Sequence, residues 1–145
     1  MSQIWEMGDA LLALQCSLLA LVGASDEVLL VDDVDPLSTL AAKLTRTRVR
    51  RVASADVFEA IGDHTRALLI VDPTEAQLEL SAFELPMILI LRHALPAPLH
   101  LATARVEVRV QETRCVLHAD GLQVQAQHAL ERLVEDWNQA KDLSR

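Results

Sequence analysis

Three aspartates carry the chemistry this chain has to offer. Asp32 and Asp33 follow the run Glu27-Val-Leu-Leu-Val31, and Asp72 follows Ala67-Leu-Leu-Ile-Val71. A continuous apolar run of this length suits a strand buried on both faces of a parallel sheet. In open α/β sheets, function collects in the crevice at the carboxyl ends of such strands. With strands 28–32 and 67–71 as parallel neighbours, three carboxylates converge on one edge of the sheet.

The rest of the chain supplies elements to hold them there. At 145 residues it is long enough to bury one core. Aromatics are confined to Trp5, Trp137, Phe58 and Phe83, so that core is built from Leu, Val, Ile and Ala. Residues 1–25 read as an N-terminal helical extension, a helix over residues 3–22 that Gly23 stops. Asp35 then reads as an N-cap with Pro36 at the first helical position. Leu37, Leu40, Ala41 and Leu44 keep helical spacing behind it. A strand from Arg48 to Ala53 carries too much charge for the centre of a sheet and belongs at an edge, where charge blunts pairing. Its arginines, with Arg48 and Arg50 foremost, also offer a partner site. Ser54 opens a short helix with Val57, Phe58 and Ile61 facing inward. Thr74 and Gln77 form a capping box, and 87–91 is a further buried strand.

The order β-α-β-α-β-α-β with right-handed crossovers specifies a parallel sheet. Beyond Pro98 the pattern changes. Val106, Val108 and Val110 alternate with Glu107 and Arg109, a half-exposed strand. Residues 105–118 read as an antiparallel hairpin or as part of another β-α-β unit. Leu122, Ala126, Ala129, Leu130, Leu133 and Trp137 then stripe a last helix. The expected fold is a three-layer, doubly wound α/β domain over 1–145, with a mostly parallel sheet of five or six strands.

Several function classes fall away. A net charge of −8 excludes a phosphate-neutralising nucleic-acid surface. The apolar stretch 10–22 is too short for a membrane span of roughly 20 residues and has no basic leader, so membrane insertion is not expected. Cys16 and Cys115 have no metal spacing and read as buried thiols in a reducing cytoplasm. The five histidines show no metal-ligand spacing, and no glycine-rich phosphate loop or serine nucleophile elbow exists.

Residues 27–137 resemble the response-regulator receiver domain. The paired acid after its first strand matches Asp32 and Asp33, the phosphoacceptor matches Asp72, and the charged edge strand suits its 2-1-3-4-5 order. The resemblance implies that Asp32, Asp33 and Asp72 hold Mg²⁺, with Asp72 as nucleophile toward phosphorus. The receiver's Thr or Ser is replaced by Leu91-Arg92-His93-Ala94, and its Lys by His118 or Ala119. Lys43 and Lys141 are the only lysines. Asp33 and Asp35 also loosely resemble the haloacid-dehalogenase motif, again without its lysine.

The expectation that follows is a non-enzymatic, pseudo-receiver module of bacterial signal transduction with no cofactor, acting by binding a protein partner or itself. A phosphorylatable receiver using Mg²⁺ is one alternative, and a small-ligand binder at the strand-end crevice is another. Trp5, Leu18, Arg48, Arg50 and Trp137 are the candidate partner contacts, with homodimerisation through the terminal helices.

Overall fold

A computed structural model describes residues 2–32, 35–99, 103–112 and 114–143. The chain runs β1 (Ser2–Met7), α1 (Ala10–Leu21), β2 (Glu27–Val31), α2 (Pro36–Thr45), β3 (Arg48–Val52), α3 (Val57–Ala60), β4 (Thr65–Val71), α4 (Glu75–Leu78), β5 (Met87–Leu91), β6 (Arg105–Val110), β7 (Cys115–Asp120) and α5 (Val124–Leu143). Short 3₁₀ turns precede α3 and follow α4.

One seven-stranded sheet organises the chain, in the order β1-β7-β6-β5-β4-β2-β3. β3, β2, β4, β5 and β6 pair in parallel. β7 is antiparallel to both β6 and β1. The sheet is therefore mixed, with seven strands in place of the expected five or six. Strands β2, β4 and β5 are parallel neighbours as expected, and β3 lies at the edge where its arginines belong. Residues 105–118 form the antiparallel hairpin, closed where the Gln111 N–H donates to the Arg114 carbonyl at 2.8 Å.

The largest local correction is at the start of the chain, where the single helix over 3–22 is a strand followed by a helix. Ser2–Met7 has a period-2 burial pattern, and only Met7 is buried. Its alternate side chains, Gln3, Trp5 and Met7, face Ala119, Leu117 and Cys115 across β7. Asp9 then caps α1, accepting from the Leu11 N–H at 2.8 Å. α1 packs between α2 and α5 on one face of the sheet.

Three apolar clusters fill the layers. Leu14, Leu18, Val28, Leu30, Leu69 and Ile88 lie between α1, α2 and the sheet. Val106, Val108, Leu117, Leu130 and Val134 lie between α1, α5 and the hairpin, with Trp5 and Trp137 packed against the same cluster. On the opposite face, Leu29, Ile70, Met87 and Leu89 pack with Val57 of α3. Phe58, expected to face inward with Val57, is instead 72% exposed and lies against Phe83, centroids 5.8 Å apart and rings tilted by 38°.

Candidate functional site

All five parallel strands end at the same edge, and aspartates follow two of them, β2 and β4. Asp32, one residue beyond β2, has φ 64°. Its carboxylate accepts from the Ser54 N–H at 2.8 Å, from the Ser54 hydroxyl, and from Gln77 Nε2 at 2.5 Å. Asp72, one residue beyond β4, has φ 43°. It accepts from both the backbone N–H and Nε of Arg92 at 2.8 Å. Left-handed backbone is a conformation that Asp tolerates better than most residues.

These bonds set the charge of both groups. The Ser54 hydroxyl, with its N–H and Gln77, holds the Asp32 carboxyl below the usual range against the opposing effect of burial. Burial pushes the Asp72 carboxyl up, but the Arg92 hydrogen bonds and the charges of Arg92 and His93 outweigh it and leave it lowered. Both groups stay ionised, each committed to donors from a different neighbouring segment. Among the described residues no group of three or more His, Cys, Asp or Glu side chains is placed to hold a metal ion. Asp33 lies outside the described residues.

The other candidate residues fall elsewhere. Arg50 bridges Glu27 at 2.6 Å, and its hydrogen bond holds the Glu27 carboxyl below the usual range. It also donates to the Ala60 carbonyl. Arg48 is exposed on β3, opposite Glu27 in register. Leu18 is fully buried, and Trp5 and Trp137 share one cluster within the chain.

A polar centre that the sequence reading passed over lies on the hairpin. Glu107 is only 1% exposed. Around it stand Arg105 Nε at 2.9 Å, Arg109 at 3.1 Å and His118 Nδ1 at 3.1 Å. His118 Nε2 in turn lies 2.8 Å from the Ser2 hydroxyl. Reading Glu107 as the solvated side of an alternating strand missed it. The signal was the sign pattern Arg105, Glu107, Arg109, plus–minus–plus on one face of a strand, with His118 on the next strand.

Glu107 and Arg109 also line a cavity of about 400 Å³ at the carboxyl ends of β5 and β6, together with Arg92, His93, Leu95 and Gln111. A smaller cavity of about 180 Å³ beside it is lined by Asp72, Pro73 and His93. The strand-end edge thus gathers guanidinium and imidazole groups between β4 and β6, which is the chemistry of anion recognition.

No protein-family model and no curated protein matches the chain. Its fold, however, is shared with solved structures. It is similar to tyrosine aminotransferase from Leishmania infantum, with a TM-score of 0.75 and 14% identity over 90% of this chain and 47% of that one. It is similar to alanine aminotransferase from Pyrococcus furiosus, at 0.73 and 15% over 91% and 44%. It is also similar to cystalysin from Treponema denticola, whose structure contains pyridoxal 5'-phosphate, at 0.74 and 11% over 92% and 45%. The chain spans a little under half the length of these structures.

The comparison corrects the receiver resemblance and what was drawn from it. The sheet is mixed and seven-stranded, and the structures that share this fold include aminotransferases and cystalysin, so a pseudo-receiver role in signal transduction has no support. The non-enzymatic expectation falls with it, because the matching structures are enzymes. The expectation of no cofactor or Mg²⁺ loses its basis too, because cystalysin, which shares this fold, contains pyridoxal 5'-phosphate. Among the described residues no helix is long and apolar enough to cross a membrane. At these identities, what the chain shares with aminotransferases is the fold.

Proposed function

We propose that the chain is the sheet-bearing part of an aminotransferase-fold enzyme, and that its strand-end cavity binds the carboxylate of a small amino or oxo acid. The observation that carries the reading is the convergence of Arg92, His93, Arg109 and Gln111 on one cavity at the carboxyl ends of β5 and β6. That is where open α/β sheets place ligands. Asp72 occupies Nε of Arg92 and leaves its two terminal nitrogens for an anion. A guanidinium suits a carboxylate because its donors form a planar fork. Glu107 also lines the cavity, where Arg105 and Arg109 offset its charge.

The cofactor of cystalysin does not fit the described residues. Pyridoxal phosphate works through the amine of a lysine. Lys43 is exposed toward the end of α2, whereas α2 begins at the crevice. The side chain of Lys141 lies outside the described residues. The phosphate would favour a helix N-terminus free of negative charge. At the crevice end of α1 that position is filled by the carboxylate of Asp9.

Calorimetric titration with amino acids and their oxo acids tests the reading. Saturable binding that weakens about tenfold in Arg92→Gln and Arg109→Gln, but not in Arg48→Gln, is the expected result, a carboxylate–guanidinium contact being lost. No saturable binding, or binding indifferent to Arg92 and Arg109, would overturn it. Borohydride reduction in the presence of pyridoxal phosphate, followed by mass spectrometry, addresses the cofactor. A stoichiometric adduct on one lysine would overturn the misfit.

A further inference from the structure

One edge of the sheet is defended and the other is not. β3 carries Arg48, Arg50 and Arg51 along its exposed length. Charge along an edge opposes pairing with a second sheet. β1, at the opposite edge, has no proline, lysine or arginine. Its one charged residue, Glu6, is ion-paired within the chain to Arg114. Ile4, at the middle of the strand, is 59% exposed on the face opposite α1 and α5. Among the described residues nothing pairs with the outer side of β1, and such an edge presents backbone donors and acceptors to any strand that can join it.

We infer that β1 is a self-association edge, through which two copies of this chain join antiparallel into one continuous sheet. The strand's own sequence favours one register. A two-fold axis perpendicular to the sheet places side chains of like face opposite each other. With Ile4 opposite the partner's Ile4, Ser2 meets the partner's Glu6 and Gln3 meets the partner's Trp5. No like charges face one another, and the exposed apolar side chain at the centre covers its own copy. The opposite edge admits no such match, because arginines would line both sides of the join. The axis passes between the two copies of β1, beside Ile4, so the contact is isologous and closes at two copies. A join over one short strand is smaller than a standard interface and belongs with weak, concentration-dependent ones.

Sedimentation velocity from low micromolar to millimolar protein reads the association directly. The expected result is a concentration-dependent shift from the 16.0 kDa monomer toward a dimer. Ile4→Lys, which puts a charge on the edge at an exposed position, should weaken it by about tenfold or more with the circular dichroism spectrum unchanged. Ile4→Cys tests the register. Opposed Cβ atoms about 5 Å apart lie close enough for a disulfide with small backbone adjustment, so mild oxidation should link the dimer covalently. A 16.0 kDa monomer at every concentration would overturn the inference. So would a dimer that Ile4→Lys leaves intact, or an Ile4→Cys variant that stays unlinked. None of these outcomes depends on whether the strand-end cavity binds a carboxylate.

Discussion

Asp72 and Arg92 each stand one residue past the end of adjacent parallel strands, and the Asp72 carboxylate takes both the backbone N–H and Nε of Arg92 at 2.8 Å. Asp72 also carries its own backbone onward, its N–H donating to the Ile90 carbonyl at 2.8 Å. Asp32 repeats the device toward β3: its N–H donates to the Val52 carbonyl at 2.8 Å and its carboxylate accepts from Ser54. The two acids tie strand ends together in left-handed backbone.

Substitution at Asp72 should separate this role from any other. Asn keeps an acceptor for the Arg92 amide and tolerates positive φ, so Asp72→Asn should cost less than about 1 kcal/mol. Ala loses the acceptor and strains the backbone, so Asp72→Ala should cost about 2 kcal/mol. Urea denaturation measures both. Equal losses for Asn and Ala would refute the clasp.

The chain's sequence is plain about some of these elements and silent about others. Apolar runs such as Val28–Val31 and Met87–Leu91 announced central strands, because burial on both faces leaves no room for polar alternation. Asp35 and the Thr74–Gln77 capping box were equally legible, since a cap is a local chemical requirement. The strand at Trp5 was not. Its six residues sit directly before the almost wholly apolar α1, which pulled them into one long helix, and only the distant pairing with β7 makes them a strand. The acids misled for a related reason. Carboxylates at strand ends occur both in metal sites and in clasps, and the donors that decide between them, Ser54 and Arg92, come from other loops.

Glu107 should be the most stability-sensitive polar residue in the hairpin. Removing one partner of a buried ion pair leaves the other charge uncompensated, at a cost of about 3–5 kcal/mol. Glu107→Leu removes the 2.9 Å bridge to Arg105, which is largely buried and keeps only a longer bridge of 3.4 Å to Asp120. A loss near 3 kcal/mol is expected, reduced from the upper figure because Arg109 is 44% exposed and can turn to water. A Glu107→Leu variant as stable as the parent in a denaturant melt would show that the network contributes nothing.

Leu18 and Leu19 are adjacent on α1 and should respond oppositely to charge. Leu18 is fully buried and Leu19 is 51% exposed. Leu18→Glu places a carboxylate in the core and should abolish cooperative unfolding, whereas Leu19→Glu should stay within about 0.5 kcal/mol of the parent. Comparable thermal midpoints for the two would contradict the placement of α1.

Both cysteines should resist thiol reagents while the protein is folded. Burial pushes the thiol of Cys16 up to about 11 and that of Cys115 up to about 11, so at neutral pH almost none is present as the reactive thiolate. Labelling by a chromogenic disulfide should therefore be slow in buffer and complete in denaturant. Rapid native-state labelling of either would mean that α1 or the hairpin opens more easily than its packing implies.

Acid should unfold the protein through three hydrogen-bonded carboxylates, the strand-end Asp32 and Asp72 and Glu27 at the start of β2. Glu27, Asp32 and Asp72 all have their carboxyls lowered in the fold, by hydrogen bonds from Arg50, Ser54 and Arg92 respectively. Near pH 4 the unfolded chain therefore binds more protons at these groups than the folded one, so stability rises with pH there. Their contribution is complete above the unfolded carboxylate values near pH 4 and is lost as pH falls through the lower folded ones. Stability measured by urea midpoint should be nearly flat from about pH 6 upward as far as these groups are concerned, and should fall steeply below about pH 4. The double variant Asp32→Asn with Asp72→Asn removes two of the three titrations while keeping acceptors in place. It should flatten the acid limb of the profile and leave the neutral plateau less changed. An acid limb as steep as the parent's would mean that other carboxylates drive the transition.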